Sequence, residues 1–117
     1  MKKLLLTLSI LALPLLAFGI IRQVGWDAPT TYDDGTPLAP AEIAFYRVAW
    51  GTVKGGPYPN VVDTQDNNTM LSLDFPANNR IYLVARTVGT NGMESDNSAE
   101  LSINLRKPAP PQNFYLQ

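Results

Sequence analysis

Apolar residues recur at every second position in short runs along residues 22–105, and Pro, Gly, Asn and Asp separate the runs. Alternation with a period of two is typical of strands, whereas a helix requires a period near 3.6. The pattern predicts six strands, at residues 23–27, 43–51, 60–64, 69–75, 80–88 and 98–105. Because no run here has helical spacing, the chain is predicted to be all-β.

Alternation also assigns the side chains of each strand to a face. The residues on one face are expected to form the core, and their burial should supply most of the stability. The predicted core residues are Trp26, Tyr46, Val48, Trp50, Leu71, Leu73, Phe75, Ile81, Leu83, Leu101 and Ile103.

Composition removes most kinds of chemistry. The chain has 117 residues, enough for one small domain, and it contains neither Cys nor His. Disulfides, thiol nucleophiles, Cys/His zinc sites and the commonest general base are thereby excluded. A net charge of −1 without a basic run argues against nucleic acid as a partner.

Acidic residues cluster near the start of the domain. Asp27, Asp33 and Asp34 could together hold Ca²⁺, but a solvated Asp-Gly turn at Asp34-Gly35 explains them better. Acids placed in the turns of a small sandwich are not expected to face each other across a cleft. We therefore predict no catalytic residues, no metal site and no cofactor.

The first 19 residues have the layout of a secretory signal. Lys2 and Lys3 precede the apolar run 4–16, and Ala17 and Gly19 stand at −3 and −1 for cleavage before Ile20. The prediction is an exported protein with residues 1–19 as signal peptide. The alternative is a retained membrane anchor, because the apolar stretch extends to residue 21 and approaches the ~18 residues of a spanning helix.

Several motifs point to a known family. They are Trp26-Asp27-Ala28-Pro29, Asp34-Gly35-Thr36-Pro37-Leu38, Tyr46-Arg47-Val48 with Trp50-Gly51, and Gly92-Met93-Glu94-Ser95. Over about residues 22–106 the chain resembles a fibronectin type III domain, in particular the small secreted type that bacteria and bacteriophages encode. The resemblance implies an immunoglobulin-like sandwich of two antiparallel sheets over residues 20–106. Because such folds host many functions, it says little about activity.

The same resemblance implies that the first strand of the domain, strand A, is missing. Cleavage before Ile20 leaves only six residues ahead of Trp26, too few for that strand. Residues 107–117 form a Pro-rich tail ending in the strand-like Phe114, Tyr115 and Leu116. The tail could complete a neighbouring copy by strand addition, dock on another partner, or remain passive. A retained leader could instead supply the strand from residues 13–19.

A second candidate surface is the outward face of two neighbouring strands. Its predicted residues are Phe45, Arg47, Tyr82, Val84 and Arg86. Aromatic side chains beside arginines are typical of interface hot spots and sugar-stacking surfaces, although a plain sheet face is an equal alternative.

Together these features predict an exported, non-catalytic module on a phage virion or cell surface. Its partner is expected to be a protein, other copies of itself included, or a glycan. The alternative is a membrane-tethered or periplasmic accessory factor that keeps its leader as an anchor, in which case the protein also contacts the membrane.

Overall fold

The structure, a computed structural model, describes residues 19–117. Its strands are β1 (Gly19–Gly25), β2 (Ile43–Gly51), β3 (Asn60–Asp63), β4 (Met70–Pro76), β5 (Arg80–Gly89) and β6 (Leu101–Asn104). A single short 3-10 turn, Pro40–Glu42, precedes β2. The prediction of an all-β chain is confirmed.

Two antiparallel sheets make up the sandwich. One contains β1 and β4, and the other has the strand order β3-β2-β5-β6. The two sheets enclose a core in which Val48, Leu73, Phe75, Ile81 and Leu83 are buried. Half-buried side chains from every strand pack around this cluster, including Trp26, Trp50, Leu71 and Ile103.

The first and last strands differ from the sequence prediction. β1 begins at Gly19 rather than residue 23, because Ile20 and Ile21 pair with β4 instead of belonging to the apolar leader. β6 begins at Leu101 rather than residue 98. Just before it, the hydroxyls of Ser95 and Ser98 accept hydrogen bonds from backbone N–H groups of β5, which interrupts the regular ladder.

Leu101 also departs from its predicted place in the core. It pairs with Leu83 and therefore faces the other sheet, yet 49% of it is exposed. The reason lies in the sheets themselves: β6 is the outermost strand of a four-stranded sheet, whereas the opposite sheet has only β1 and β4 among the described residues. Nothing in residues 19–117 covers this side of the sandwich fully.

The strand register places the connections at two ends of the sandwich. Gly25 lies opposite Met70 and Ile43 opposite Gly89, so residues 26–42, 64–69 and 90–100 connect strands at one end. Gly19 lies opposite Pro76, and Asn104 lies opposite Arg80. Residues 52–59, 77–79 and the tail from residue 105 therefore belong to the other end.

Candidate functional site

The outer edge of β1 is one of the sheet edges that no strand of the described residues covers. β1 pairs with β4 along its whole length, and no other strand of residues 19–117 pairs with it. The backbone N–H of Trp26, just after β1, donates a hydrogen bond to the Thr69 carbonyl at 3.1 Å. Because backbone N–H groups along a strand point alternately to its two sides, this bond shows which N–H groups of β1 face β4. The N–H groups of Ile21, Gln23 and Gly25 consequently point away from β4.

An apolar groove of about 290 Å³ runs beside this edge. We call it the edge groove; its lining includes Val24, Trp26, Val48, Leu83, Ala85 and Leu101. It opens between β1 and β6, on the side where Leu101 is exposed. The edge groove thus joins unpaired strand backbone to a concave apolar surface, the two features that strand addition uses.

One residue that lines the edge groove has a polar atom without a partner. The indole Nε1 of Trp26 is buried and makes no hydrogen bond with the described residues. Buried N–H groups are almost always paired, so this one identifies a place where an acceptor is expected. The buried hydroxyl of Tyr46, whose ring meets that of Trp26 edge to face, likewise has no partner among these residues.

The candidate face on β2 and β5 differs from the sequence prediction. Val84 is only 4% exposed, so it is part of the packed interior of this side and not of an accessible surface. The side chain of Tyr58, in the β2–β3 loop, donates its hydroxyl hydrogen bond to Glu100, which precedes β6. This contact spans β5, which lies between β2 and β6 in the sheet and contains Val84.

The arginines of this face are held by acidic neighbours. Arg47 and Arg86 lie directly opposite each other, and the carboxylate of Glu94 accepts hydrogen bonds from both, at 3.2 and 2.9 Å. Arg47 also binds Asp63, whose hydrogen bond raises the pKa of the guanidinium. The Arg47 guanidinium lies 5.5 Å from the ring centroid of Phe45. Phe45 and Tyr82 are half-buried, so the face offers few unoccupied groups to a partner.

A wider cleft lies at the end formed by residues 26–42 and 90–100, contrary to the expectation that the acids face no cleft. Its volume is about 590 Å³, and it is lined by Asp27, Asp33, Asp34, Glu42, Glu94 and Asp96. Several of these acids already hold the backbone in place: Asp34 accepts hydrogen bonds from Thr36, and Glu42 accepts one from the Ala39 N–H.

One carboxyl group in this cleft has a pKa that its neighbours shift. The Thr36 bonds lower the pKa of Asp34, the opposite of the raised pKa that a catalytic general acid requires. Among residues 19–117, no group of three or more Asp, Glu, Cys or His side chains could hold a metal ion. In the same part of the chain, no helix is long and apolar enough to span a membrane.

The Tyr58–Glu100 contact gives a pH-dependent prediction. Hydrogen bonds from the Tyr58 hydroxyl and the Gly55 N–H lower the pKa of Glu100. A carboxyl whose pKa is lower in the folded state stabilises the fold above its unfolded pKa, and this stabilisation is lost as the pH falls through the folded pKa. We expect Tyr58→Phe to lower the urea midpoint at pH 7, with the difference from wild type shrinking as the pH falls from about 5 toward 3.

The control for this substitution is Tyr115→Phe, which changes an exposed tyrosine of the tail. It should leave the urea midpoint unchanged at every pH. A Tyr58→Phe difference that is the same at pH 7 and pH 3 would contradict the assignment to Glu100.

The structure distributes the sequence-predicted residues over separate places. Phe45, Arg47, Tyr82 and Arg86 remain on one face, and Val84 lies beneath it. Phe114, Tyr115 and Leu116 are all exposed in the tail, away from the core. Residues 1–18, the predicted leader and the proposed source of a strand at 13–19, lie outside the described residues. The edge groove itself was not predicted, although Leu101 and Trp26 both line it.

Comparisons of this chain with protein-family models, with curated proteins and with solved structures find no match. The functional argument therefore depends on the geometry above.

Proposed function

We propose that this chain is an exported, non-catalytic binding and assembly module, in which the outer edge of β1 receives a strand from a protein partner. One observation carries the proposal: within residues 19–117, the edge of β1 beside the edge groove has no strand paired with it. An unpaired strand edge flanked by apolar surface is an aggregation hazard, which proteins normally cover, shorten or charge. A segment that pairs with β1 would satisfy its N–H groups and cover Leu101 in a single step.

The proposed fold is a fibronectin type III sandwich without its strand A. The strand order supports it, since two strands face a sheet of four in the arrangement that this family is expected to have. The family motifs also occupy consistent positions: Trp26 follows β1 and Tyr46 points inward from β2, where their rings meet edge to face at 5.2 Å. The missing strand would lie beside β1, where the edge groove opens.

Export is supported by the sequence of the leader. β1 starts at Gly19, next to the predicted cleavage bond, so cleavage before Ile20 would remove only the first residue of the strand. A virion or cell surface is the proposed location, by resemblance to the phage-encoded and bacterial type.

A glycan-binding role for the face around Phe45 has weaker support. Its arginines are engaged by Glu94 and Asp63, and Val84 is buried. For the edge of β1, by contrast, the described residues provide no partner to the backbone groups that strand addition would use.

The test places a photo-crosslinking amino acid on the outward side of β1. Ile21 is 67% exposed there, and p-benzoylphenylalanine at this position is expected to form protein adducts in the cell that makes the full chain. The same substitution at Val53, which is exposed in the loop between β2 and β3, is the positional control.

A matched pair of variants tests whether the adduct depends on backbone pairing at the edge of β1. Gln23→Pro removes an N–H that points away from β4, which a folded edge strand tolerates, and it should abolish the adduct. Gln23→Ala keeps the N–H and should preserve the adduct. The proposal fails if position 21 gives no adduct, or if Gln23→Pro leaves the adduct unchanged.

A further inference from the structure

We propose that the segment received by the edge groove is residues 112–116 of a second copy of this chain, inserted antiparallel to β1, so that copies join head to tail. This inference rests on the proposed function and names its partner. Three separate observations support it: the chemistry of the tail, the direction in which it leaves the sandwich, and the distribution of charge between the two ends.

The tail carries apolar side chains that nothing among the described residues covers. Phe114 is 95% exposed and Leu116 is 96% exposed. In an extended strand they lie on the same side, with Tyr115 on the other. That side would enter the edge groove and pack against Trp26, while Tyr115 would remain at the surface.

Direction argues against insertion into the same subunit. An antiparallel partner of β1 must begin beside Gly25 and end beside Gly19. The tail, however, leaves at the Gly19 end: the Leu105 carbonyl accepts a hydrogen bond from Asn78, and the Asn78 side chain accepts one from the Lys107 N–H at 2.9 Å.

Distance and stiffness add to this argument. β1 is 7 residues long, so the tail would first travel about 20 Å back along the sandwich. That distance consumes about six of the residues after Lys107, so the chain at residue 112 would not yet have reached the Gly25 end, where pairing has to begin. Pro108, Pro110 and Pro111 also favour an extended, semi-rigid connection over a reversal. In a second copy placed beyond this end, the tail reaches the Gly25 end of β1 directly.

Charge differs in sign between the two ends. The connections at the Gly25 end, residues 26–42, 64–69 and 90–100, contain acidic side chains and no Lys or Arg. The segments at the Gly19 end, residues 52–59, 77–79 and 105–117, contain Lys54, Arg106 and Lys107 and no Asp or Glu of their own. The Glu100 carboxylate reaches the first of these segments, where it binds the Gly55 N–H and offsets part of the charge of Lys54, so Arg106 and Lys107 supply most of the basic character. A head-to-tail contact brings the basic end of one copy onto the acidic end of the next, which favours this orientation and opposes head-to-head pairing.

The contact is heterologous, because the tail and the edge groove are different surfaces. Each copy can donate once and accept once, so the contact propagates into a ring or an open row rather than stopping at a dimer. Screening by salt should weaken it, since part of the attraction is between oppositely charged ends.

The experiment uses the exported full chain and two variants that each lose one half of the contact. Phe114→Asp with Leu116→Asp disables the tail, and Gln23→Pro disables the edge of β1. Native mass spectrometry and light scattering then report the assembly state. Wild type is expected to form species of several subunits, and each variant alone is expected to show a complete loss of these, leaving single subunits.

Mixing the two variants is the decisive step. The tail of the Gln23→Pro chain is intact, and so is the edge groove of the tail variant, so one productive contact remains. A mixture at equal concentrations should form heterodimers and nothing larger. Gln23→Ala, which keeps the N–H, should assemble like wild type, and it separates loss of pairing from loss of the glutamine side chain.

Other outcomes overturn the inference. If wild type is found as single subunits, donation between copies is excluded. This holds whether or not a protease can cleave the tail. Assemblies that persist in both variants, or a mixture that stays monomeric, exclude it as well. Suppose that no self-assembly occurs, but position 21 still crosslinks to another protein and Gln23→Pro abolishes that crosslink. The inference then fails while the proposed function stands. If neither occurs, both fail.

Discussion

Replacing Phe75 with alanine is expected to lower the free energy of unfolding by about 3–5 kcal/mol. Phe75 is fully buried in β4, and its ring meets Trp50 of the opposite sheet edge to face, with centroids 5.2 Å apart. The substitution removes this aromatic contact and leaves a cavity between the two sheets. Because small domains are stable by only about 5–15 kcal/mol, the loss is a large share of the total.

Urea denaturation followed by tryptophan fluorescence measures this effect. Met70→Ala is the matched control, since it truncates a side chain of the same strand that is half exposed. It should cost well under half as much. Equal losses for Phe75→Ala and Met70→Ala would mean that the described packing of the two sheets is wrong.

The second large effect is expected at Val84, where the sequence and the structure give opposite answers. If Val84 belonged to an accessible face, aspartate there would be harmless. In the structure it is buried, so Val84→Asp places a carboxylate where water is excluded. We expect a loss of about 3–5 kcal/mol in the free energy of unfolding.

Tyr82→Ser tests the same face at a half-buried position. It should cost less than Val84→Asp, and both can be compared by the same urea titration at pH 7. If the Val84→Asp protein has wild-type stability, Val84 belongs to an accessible face after all. Such a result would contradict the burial of this position on the outer side of β2 and β5.

The strands could be predicted because they depend on local pattern. Period-two alternation with turn residues between the runs located β2 at its observed bounds and the other strands within a few residues. Alternation even placed Leu101 on the correct side of β6. What it could not indicate is whether that side is covered, because coverage depends on how many strands the opposite sheet contains.

The outer face was mispredicted for a related reason. Alternation assigns Val84 to the side away from the core, but it carries no information about a loop folding over that side. Tyr58 and Glu100 are 42 positions apart, and their contact depends on the order of strands in the sheet. Glu94 was noted only as part of a motif. Its role between Arg47 and Arg86 required the cross-strand register.

The edge groove could be anticipated in part. Counting residues before Trp26 predicted a missing strand, and the strand-like tail was recognised from its composition. The opposite charges of the two ends were not noticed, because they become apparent only when the register assigns each connection to an end.

The position of β1 has a consequence for how the molecule opens. Within the described part of the chain, β1 has a single neighbour in its sheet, β4, about fifty residues away in sequence, whereas β2 and β5 are each flanked on both sides. Strands with one neighbour exchange their amide hydrogens through small local fluctuations, while central strands require nearly global unfolding. Any segment that occupies the outer edge of β1 would therefore slow amide exchange in β1, and its binding free energy would add to the stability of the whole sandwich.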